Sequence, residues 1–195
     1  MESVAPISED VPQPHLEPGE VVSADSYSTR PVRPEDTQAL RPILEQWVRD
    51  SETHELLSEE VESILSQIEE SSQGDTGRHY LVAQDGNGTI AGIIGLTEPD
   101  EDMKAYAKTE HPLELVNFFA NQKGQGAGKL LMAALEQQAV QEGATELVVN
   151  SGPRYEDSWG FYDHVLGPRV AMMKDKYGPG RDAAVWRKEI APQIR

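Results

Sequence analysis

The stretch Lys123-Gly124-Gln125-Gly126-Ala127-Gly128-Lys129 separates the strand-like apolar run Leu115 to Ala120 from an amphipathic run that begins at Leu130. A strand that ends in glycines and passes directly into a helix leaves several backbone N–H groups unpaired and converging on one spot, where an anion fits. Beyond the loop, Leu131, Ala134, Leu135 and Ala139 share a helical face, Gly143 closes that helix, and Glu146-Leu147-Val148-Val149-Asn150 reads as the next strand. The loop therefore lies inside a strand–helix–strand unit with parallel strands.

Upstream, Tyr80-Leu81-Val82-Ala83 and Ile90-Ala91-Gly92-Ile93-Ile94 flank Asp85-Gly86-Asn87-Gly88, a hairpin. Leu40, Ile43, Leu44, Trp47 and Val48 recur at helical spacing, with Pro42 expected to delay or kink the helix. A second helix is expected with Ser58 as N-cap, Glu59 and Glu60 in its first turn, and Val61, Ile64, Leu65 and Ile68 on one face. A first strand is expected over Thr29 to Arg33, and the polar segment Glu98 to Glu110 is read as loop. Downstream, Gly152-Pro153 breaks the chain before a short helix from about Glu156 to Val165. Two final strands follow, near Val170 to Lys174 and Ala183 to Lys188. The pattern is mixed α/β with an antiparallel first half.

The 195 residues suit one domain preceded by a tail. Residues 1–28 carry Pro6, Pro12, Pro14 and Pro18 among many acids, a composition too poor in apolar surface to offset its ordering entropy, so a flexible acidic tail is expected before a domain over 29–195. The 34 acidic against 17 basic side chains give a formal charge of −17, which opposes nucleic acid and anionic membranes as partners and favours a cationic one. The same excess also serves solubility. There is no cysteine, hence no disulfide, thiolate metal site or cysteine nucleophile. No apolar run reaches the roughly 20 residues that span a bilayer. The N-terminal stretch lacks signal-peptide features, and a cytoplasmic location is expected. The five histidines show no ligand spacing, so no metal site is expected.

A glycine-rich turn alone is weak, and two fingerprints fail here. A nucleotide P-loop needs glycine five residues before Gly128 and serine or threonine after Lys129, where the chain has Lys123 and Leu130. A dinucleotide loop needs glycine or alanine where Lys129 or Leu131 stands. The pattern that fits is basic-x-x-Gly-x-Gly, as Lys123-Gly124-Gln125-Gly126-Ala127-Gly128, joined by Trp159-Gly160-Phe161-Tyr162 and Leu166-Gly167 on a later helix. Together these resemble the coenzyme A pyrophosphate loop and the Phe-Tyr motif of the GCN5-related N-acetyltransferase (GNAT) family, in matching element order from Val32 to Ile190. The family usually has Arg or Gln where this chain has Lys123, the link Asn121-Gln122 is short, and Tyr155 stands where Asn is common. Lys123 keeps the charge but lacks the planar fork of arginine.

The resemblance implies a GNAT-like α/β fold, a mixed, mostly antiparallel central sheet of about seven strands flanked by about four helices. It implies acetyl-CoA as cosubstrate and direct acetyl transfer to a primary amine in a ternary complex. Cofactor contacts fall on Phe118, Phe119, Ala120, Lys123, Gly124, Gln125, Gly126, Ala127, Gly128 and Lys129. Tyr162 occupies the position of the acid that protonates the leaving thiolate, and Glu114 the position of a base for the ammonium proton, with an ordinary exposed strand glutamate as the alternative for Glu114. The acidic composition points to a small cationic or peptide amine as acceptor. Homodimerisation is implied by the resemblance only. The competing reading is a non-catalytic acyl-CoA sensor or interaction module on the same fold.

Overall fold

The computed structural model describes residues 27–74, 76–121 and 126–190. The strands are β1 (Tyr27–Pro31), β2 (Arg78–Asp85), β3 (Ile90–Thr97), β4 (Pro112–Ala120), β5 (Glu146–Ser151), β6 (Ala171–Met173) and β7 (Ala183–Glu189). They form one sheet in the order β1-β2-β3-β4-β5-β7-β6. All neighbours are antiparallel except β4 and β5, the parallel pair that the sequence places around the glycine loop. The expected tail lies outside the described residues up to residue 26. Tyr27 and Ser28 open β1 rather than end the tail, because β2 runs on to Asp85 and offers partners for both.

The helices are α1 (Asp36–Trp47), α2 (Ser58–Gln73), α3 (Glu101–Lys104), α4 (Ala127–Gln141) and α5 (Trp159–Val165), with a 3-10 segment over Pro153–Ser158. Pro42 does not delay α1, which starts six residues earlier. Gln38, whose carbonyl loses its N–H partner to the proline ring, is exposed, so water can satisfy it. Ser58 is the first residue of α2 and not its cap, a place taken by Leu57 without a side-chain hydrogen bond. The segment expected as plain loop contains α3, capped by Asp100 Oδ1 accepting from the Met103 N–H at 2.8 Å and anchored by fully buried Met103.

Alternation along the strands sends side chains into two layers. Leu81, Ile94, Leu96, Leu115, Leu147, Val149 and Trp186 pack under α4 and α5. On the opposite face Tyr80, Val82, Ile93 and Phe119 pack under α1 and α2. A smaller group, Met103, Val148, Met173, Ala183 and Val185, seats α3 on the far end of that face.

Two irregularities in β4 shape the functional region. Its pairing with β3 slips between Ile93↔Phe119 and Gly95↔Val116, so β4 carries one extra residue there. Asn117 within this bulge has φ +49°, a backbone region that asparagine tolerates, and its Nδ2 donates to Tyr80 Oη at 2.8 Å. On its other side β4 pairs with β5 only from Pro112 to Glu114. Beyond Glu114 the two strands part, leaving one edge of β4 without a strand partner in the middle of the sheet.

Candidate active site

The parting of β4 and β5 opens a cleft of about 1010 Å³, at the top of the roughly 300–1,000 Å³ range of small-molecule sites. Glu114, Phe118, Phe119 and Ala120 line it from β4, Gly126, Gly128 and Lys129 from the start of α4, and Tyr162 from α5. Eight of the residues singled out in the sequence therefore share one cavity. Ala127 is buried in the core and is not among the residues that line the cleft. Lys123, Gly124 and Gln125 lie outside the described residues.

Helix α4 begins at Ala127, three residues before the amphipathic run, with Gly126 as N-cap at φ +91°. That left-handed turn favours glycine and starts the helix inside the loop. The first intrahelical bond runs from the Leu130 N–H to the Gly126 carbonyl at 3.0 Å. The N–H groups of Ala127, Gly128 and Lys129 thus have no partner within the helix, at its positive dipole end, and exposed Lys129 adds a full charge nearby. In a chain of charge −17 this is a local reversal of sign suited to a phosphate.

Glu114 is buried at 7% exposure, not an exposed strand glutamate. Burial is the main cause that raises its carboxyl from the usual 4.5 to about 7, and the nearby Asp100 charge adds to it. The Asp100 N–H, Lys176 and Asn150 oppose the rise, Asn150 Nδ2 donating to Glu114 Oε1 at 3.0 Å. A carboxyl poised near neutrality in a cleft is what a general base requires. Tyr162 is also buried, its ring 5.1 Å from that of Trp186 and 6.3 Å from that of Phe118 between centroids. Desolvation raises its hydroxyl well above the usual phenol range, with Tyr177 and Tyr155 reinforcing the shift, so it stays protonated.

Phe118 and Phe119 face opposite sides of the sheet. Phe118 stacks on Phe161 at 5.5 Å and Phe119 meets Tyr155 at 6.2 Å. Trp47, at the end of the apolar face of α1, is only half-buried and lines the cleft, its Nε1 donating to the Ala120 carbonyl at 2.9 Å. Trp159 packs in the core, donating from Nε1 to Ser151 Oγ at 3.1 Å. Arg154 and Tyr177, which sequence reasoning passed over, also line the cleft, as do Asn150 and Tyr155, to which it gave no role. Asn150 had a local signal, a polar residue closing the apolar run Leu147 to Val149. The acids after the hairpin are partly engaged, Lys176 Nζ lying 3.3 Å from Asp100 and 2.9 Å from Asp102. Among the described residues no group of His, Asp and Glu is arranged to hold a metal, and no helix is long and apolar enough to cross a membrane.

An open sheet with a splayed parallel pair thus carries a helix N-terminus, a poised carboxyl and a buried phenol on one cleft, groups suited to holding an anion and moving protons. Residues 41–167 match the acetyltransferase (GNAT) family, and the chain belongs to it. Among solved structures, a GNAT-family protein of Desulfovibrio desulfuricans superposes with a TM-score of 0.69 at 20% identity, covering 85% of this chain and 100% of that one. An aminoglycoside 6'-acetyltransferase type Ii gives 0.64 at 16% identity, covering 86% and 99%. The yncA protein of Salmonella typhimurium, with its cofactor acetyl-CoA, gives 0.61 at 18% identity, covering 87% and 99%. At these identities the likeness is one of fold. No curated protein sequence matches at a significant level.

Proposed function

We propose that the protein transfers the acetyl group of acetyl-CoA to a primary amine by direct attack in a ternary complex. The observation that carries this reading is the single cleft where the free edge of β4, the uncommitted amides of α4, Glu114 and Tyr162 meet. The residues fit the cosubstrate. Backbone N–H groups of Ala127, Gly128 and Lys129 suit a pyrophosphate, and the β4 edge from Leu115 to Phe119, which has no strand partner, suits an amide-bearing arm laid alongside it. Acetyl-CoA would supply a thioester whose carbonyl carbon the amine attacks and whose sulfur leaves.

Glu114 takes the ammonium proton at its carboxylate, freeing the nitrogen lone pair, and Tyr162 Oη gives its proton to the departing sulfur. The attacking nitrogen sheds its second proton to water as the tetrahedral adduct collapses, and Glu114 and Tyr162 re-equilibrate with water between turnovers, so an acceptor that arrives as an ammonium ion yields one net proton. The desolvation that raises the phenol also disfavours a thiolate formed in the same cleft, so the two acidities move in the same direction. With no cysteine in the chain, a covalent acetyl-enzyme on sulfur is ruled out.

The charge lining the cleft is nearly balanced, Glu60, Glu114 and Asp157 against Lys129, Arg154 and Arg181. Glu60 is already paired with Arg154 at 2.8 Å. The net charge of −17 therefore steers a cationic acceptor from a distance rather than filling the pocket with acids, and a small amine or peptide terminus suits it. A cytoplasmic location belongs to the same proposal. The test is a thiol-release screen of amines with acetyl-CoA, which should find turnover for at least one small-amine class. Tight coenzyme A binding with no thiol release across the panel would instead favour a sensor.

The loop is tested separately. A Cβ on Gly128 would sit 3.4 Å from Phe118 and 3.8 Å from Phe161, an ordinary contact, so Gly128→Ala is accommodated. Gly128→Leu must either displace those rings or fill the cleft at the helix N-terminus. It is expected to weaken coenzyme A binding by about tenfold or more, ~1.4 kcal/mol, by titration calorimetry. Unaltered affinity in that variant sinks the assignment of the loop.

A further inference from the structure

We infer that Tyr177, on the loop between β6 and β7, is a positioning residue that acts on Glu114 through Asn150. The inference rests on Glu114 being the base of the proposed reaction, but its geometry stands apart from that reading. Tyr177 Oη donates to Asn150 Oδ1 at 2.5 Å, and Asn150 Nδ2 donates to Glu114 Oε1 at 3.0 Å. An ionised carboxylate only accepts, so it draws the amide's N–H side toward itself and turns Oδ1 toward the phenol, which must then donate. The direction of the whole chain follows from the charge on Glu114.

The loop that carries Tyr177 is fastened on both sides. Its ring lies over Gly152, where any Cβ would come within 2.7 Å of Tyr177 Cδ2, so the absence of a side chain at 152 is what lets the ring sit there. Lys176 holds the loop to Asp100 and Asp102 beside α3. Arg181 reaches Glu52 across the other side at 3.7 Å. Every charged group that bears on Glu114 is therefore tied to this loop or to its anchors: Asp100 from the segment before α3, Lys176 from the loop itself, and Asn150 as the neutral link from β5. Beyond burial, Tyr177 itself feels Lys176 and Glu114 first, then Tyr155 and Arg154 from the 3-10 segment.

Without the phenol, Asn150 Oδ1 loses its partner, the amide is free to turn, and the Nδ2–carboxylate bond weakens. The carboxylate is then less favoured, and Glu114 titrates at higher pH. Tyr177→Phe keeps the ring on Gly152 and removes only the donor.

The test is a titration of Glu114 by carbon-13 NMR of glutamate-labelled protein, its resonance assigned with Glu114→Gln, in wild type, Tyr177→Phe, Asn150→Ala and the double variant. Tyr177→Phe is expected to raise the midpoint by about half to one pH unit and Asn150→Ala by more. The double variant should match Asn150→Ala alone, because Tyr177 acts only through the amide. An unmoved midpoint in Tyr177→Phe, or effects of the two substitutions that add, overturns the relay. The NMR midpoint is readable whether or not any amine is acetylated, so a failed acetyltransferase reading and a failed relay give different results. Where turnover is found, the acid limb of kcat/KM should move with the NMR midpoint.

Discussion

Tyr162→Phe is expected to lower kcat by about 10²-fold or more while coenzyme A affinity stays close to wild type. The substitution removes one oxygen from a ring that packs against Trp186, Phe161 and Phe118 at 5.1, 5.9 and 6.3 Å. Among the described residues no partner hydrogen-bonds the hydroxyl, so the fold loses nothing with it. In the proposed complex coenzyme A would lie along β4 and at the start of α4, away from this hydroxyl, which separates binding from turnover. Because burial holds the phenol above its usual 10.0, it is protonated throughout the working range. The loss should therefore be uniform from mildly acidic to mildly alkaline pH, lowering the profile without displacing it. Steady-state thiol release at saturating acetyl-CoA, with calorimetric binding alongside, reads both quantities. Unchanged kcat would remove Tyr162 from the acid role.

The loop, the Phe-Tyr pair and the parallel strand pair around them were legible because each is local. A glycine run between an apolar strand and an amphipathic helix needs no tertiary information, and neither does the 3.6-residue spacing that placed α1, α2 and α4. What the sequence concealed lies in departures from regular strand geometry. The bulge at Asn117 and the parting of β4 from β5 after Glu114 arise from how three strands pair, and both are invisible in β4 alone, which reads as one apolar run. That parting is why Glu114 is a buried carboxyl in a cleft rather than a solvated strand residue.

Helix α3 was missed for a related reason. Over four residues only Met103 is apolar, too few for periodicity to register. Its end chemistry was present, with Asp100 as cap, Glu101 and Asp102 in the first turn and Lys104 in the last, a charge order that complements the helix dipole. The role of Asp100 and Lys176 beside Glu114 then follows from contacts 76 residues apart in sequence, which no window covers. The net acidity was the least informative feature. Little of it bears on the cleft, which carries matched charges.

Glu114→Gln is expected to act in opposite directions on activity and stability. As a base, Glu114 must be ionised, so kcat/KM of the wild type should fall below about pH 7, roughly tenfold per unit. The amide cannot accept the proton, and the variant should lose about 10²-fold at pH 8 together with that limb of the profile. A carboxyl whose folded-state value is raised binds its proton more tightly in the native than in the unfolded chain. Native stability is thus highest below the unfolded value of 4.5 and falls as pH rises toward about 7, where the buried group becomes charged. The accumulated cost above that pH is on the order of 3 kcal/mol. Glutamine keeps the shape and still accepts from Asn150 Nδ2, but never ionises. Thermal or denaturant unfolding should find Glu114→Gln more stable than wild type at pH 8 and nearly equal to it at pH 4.5. Equal stability at both pH values would mean that the carboxyl is not held in a desolvated state, and the case for it as the base would go with it. A variant more stable and less active at the same pH would show that the strain of burying this charge is retained for catalysis.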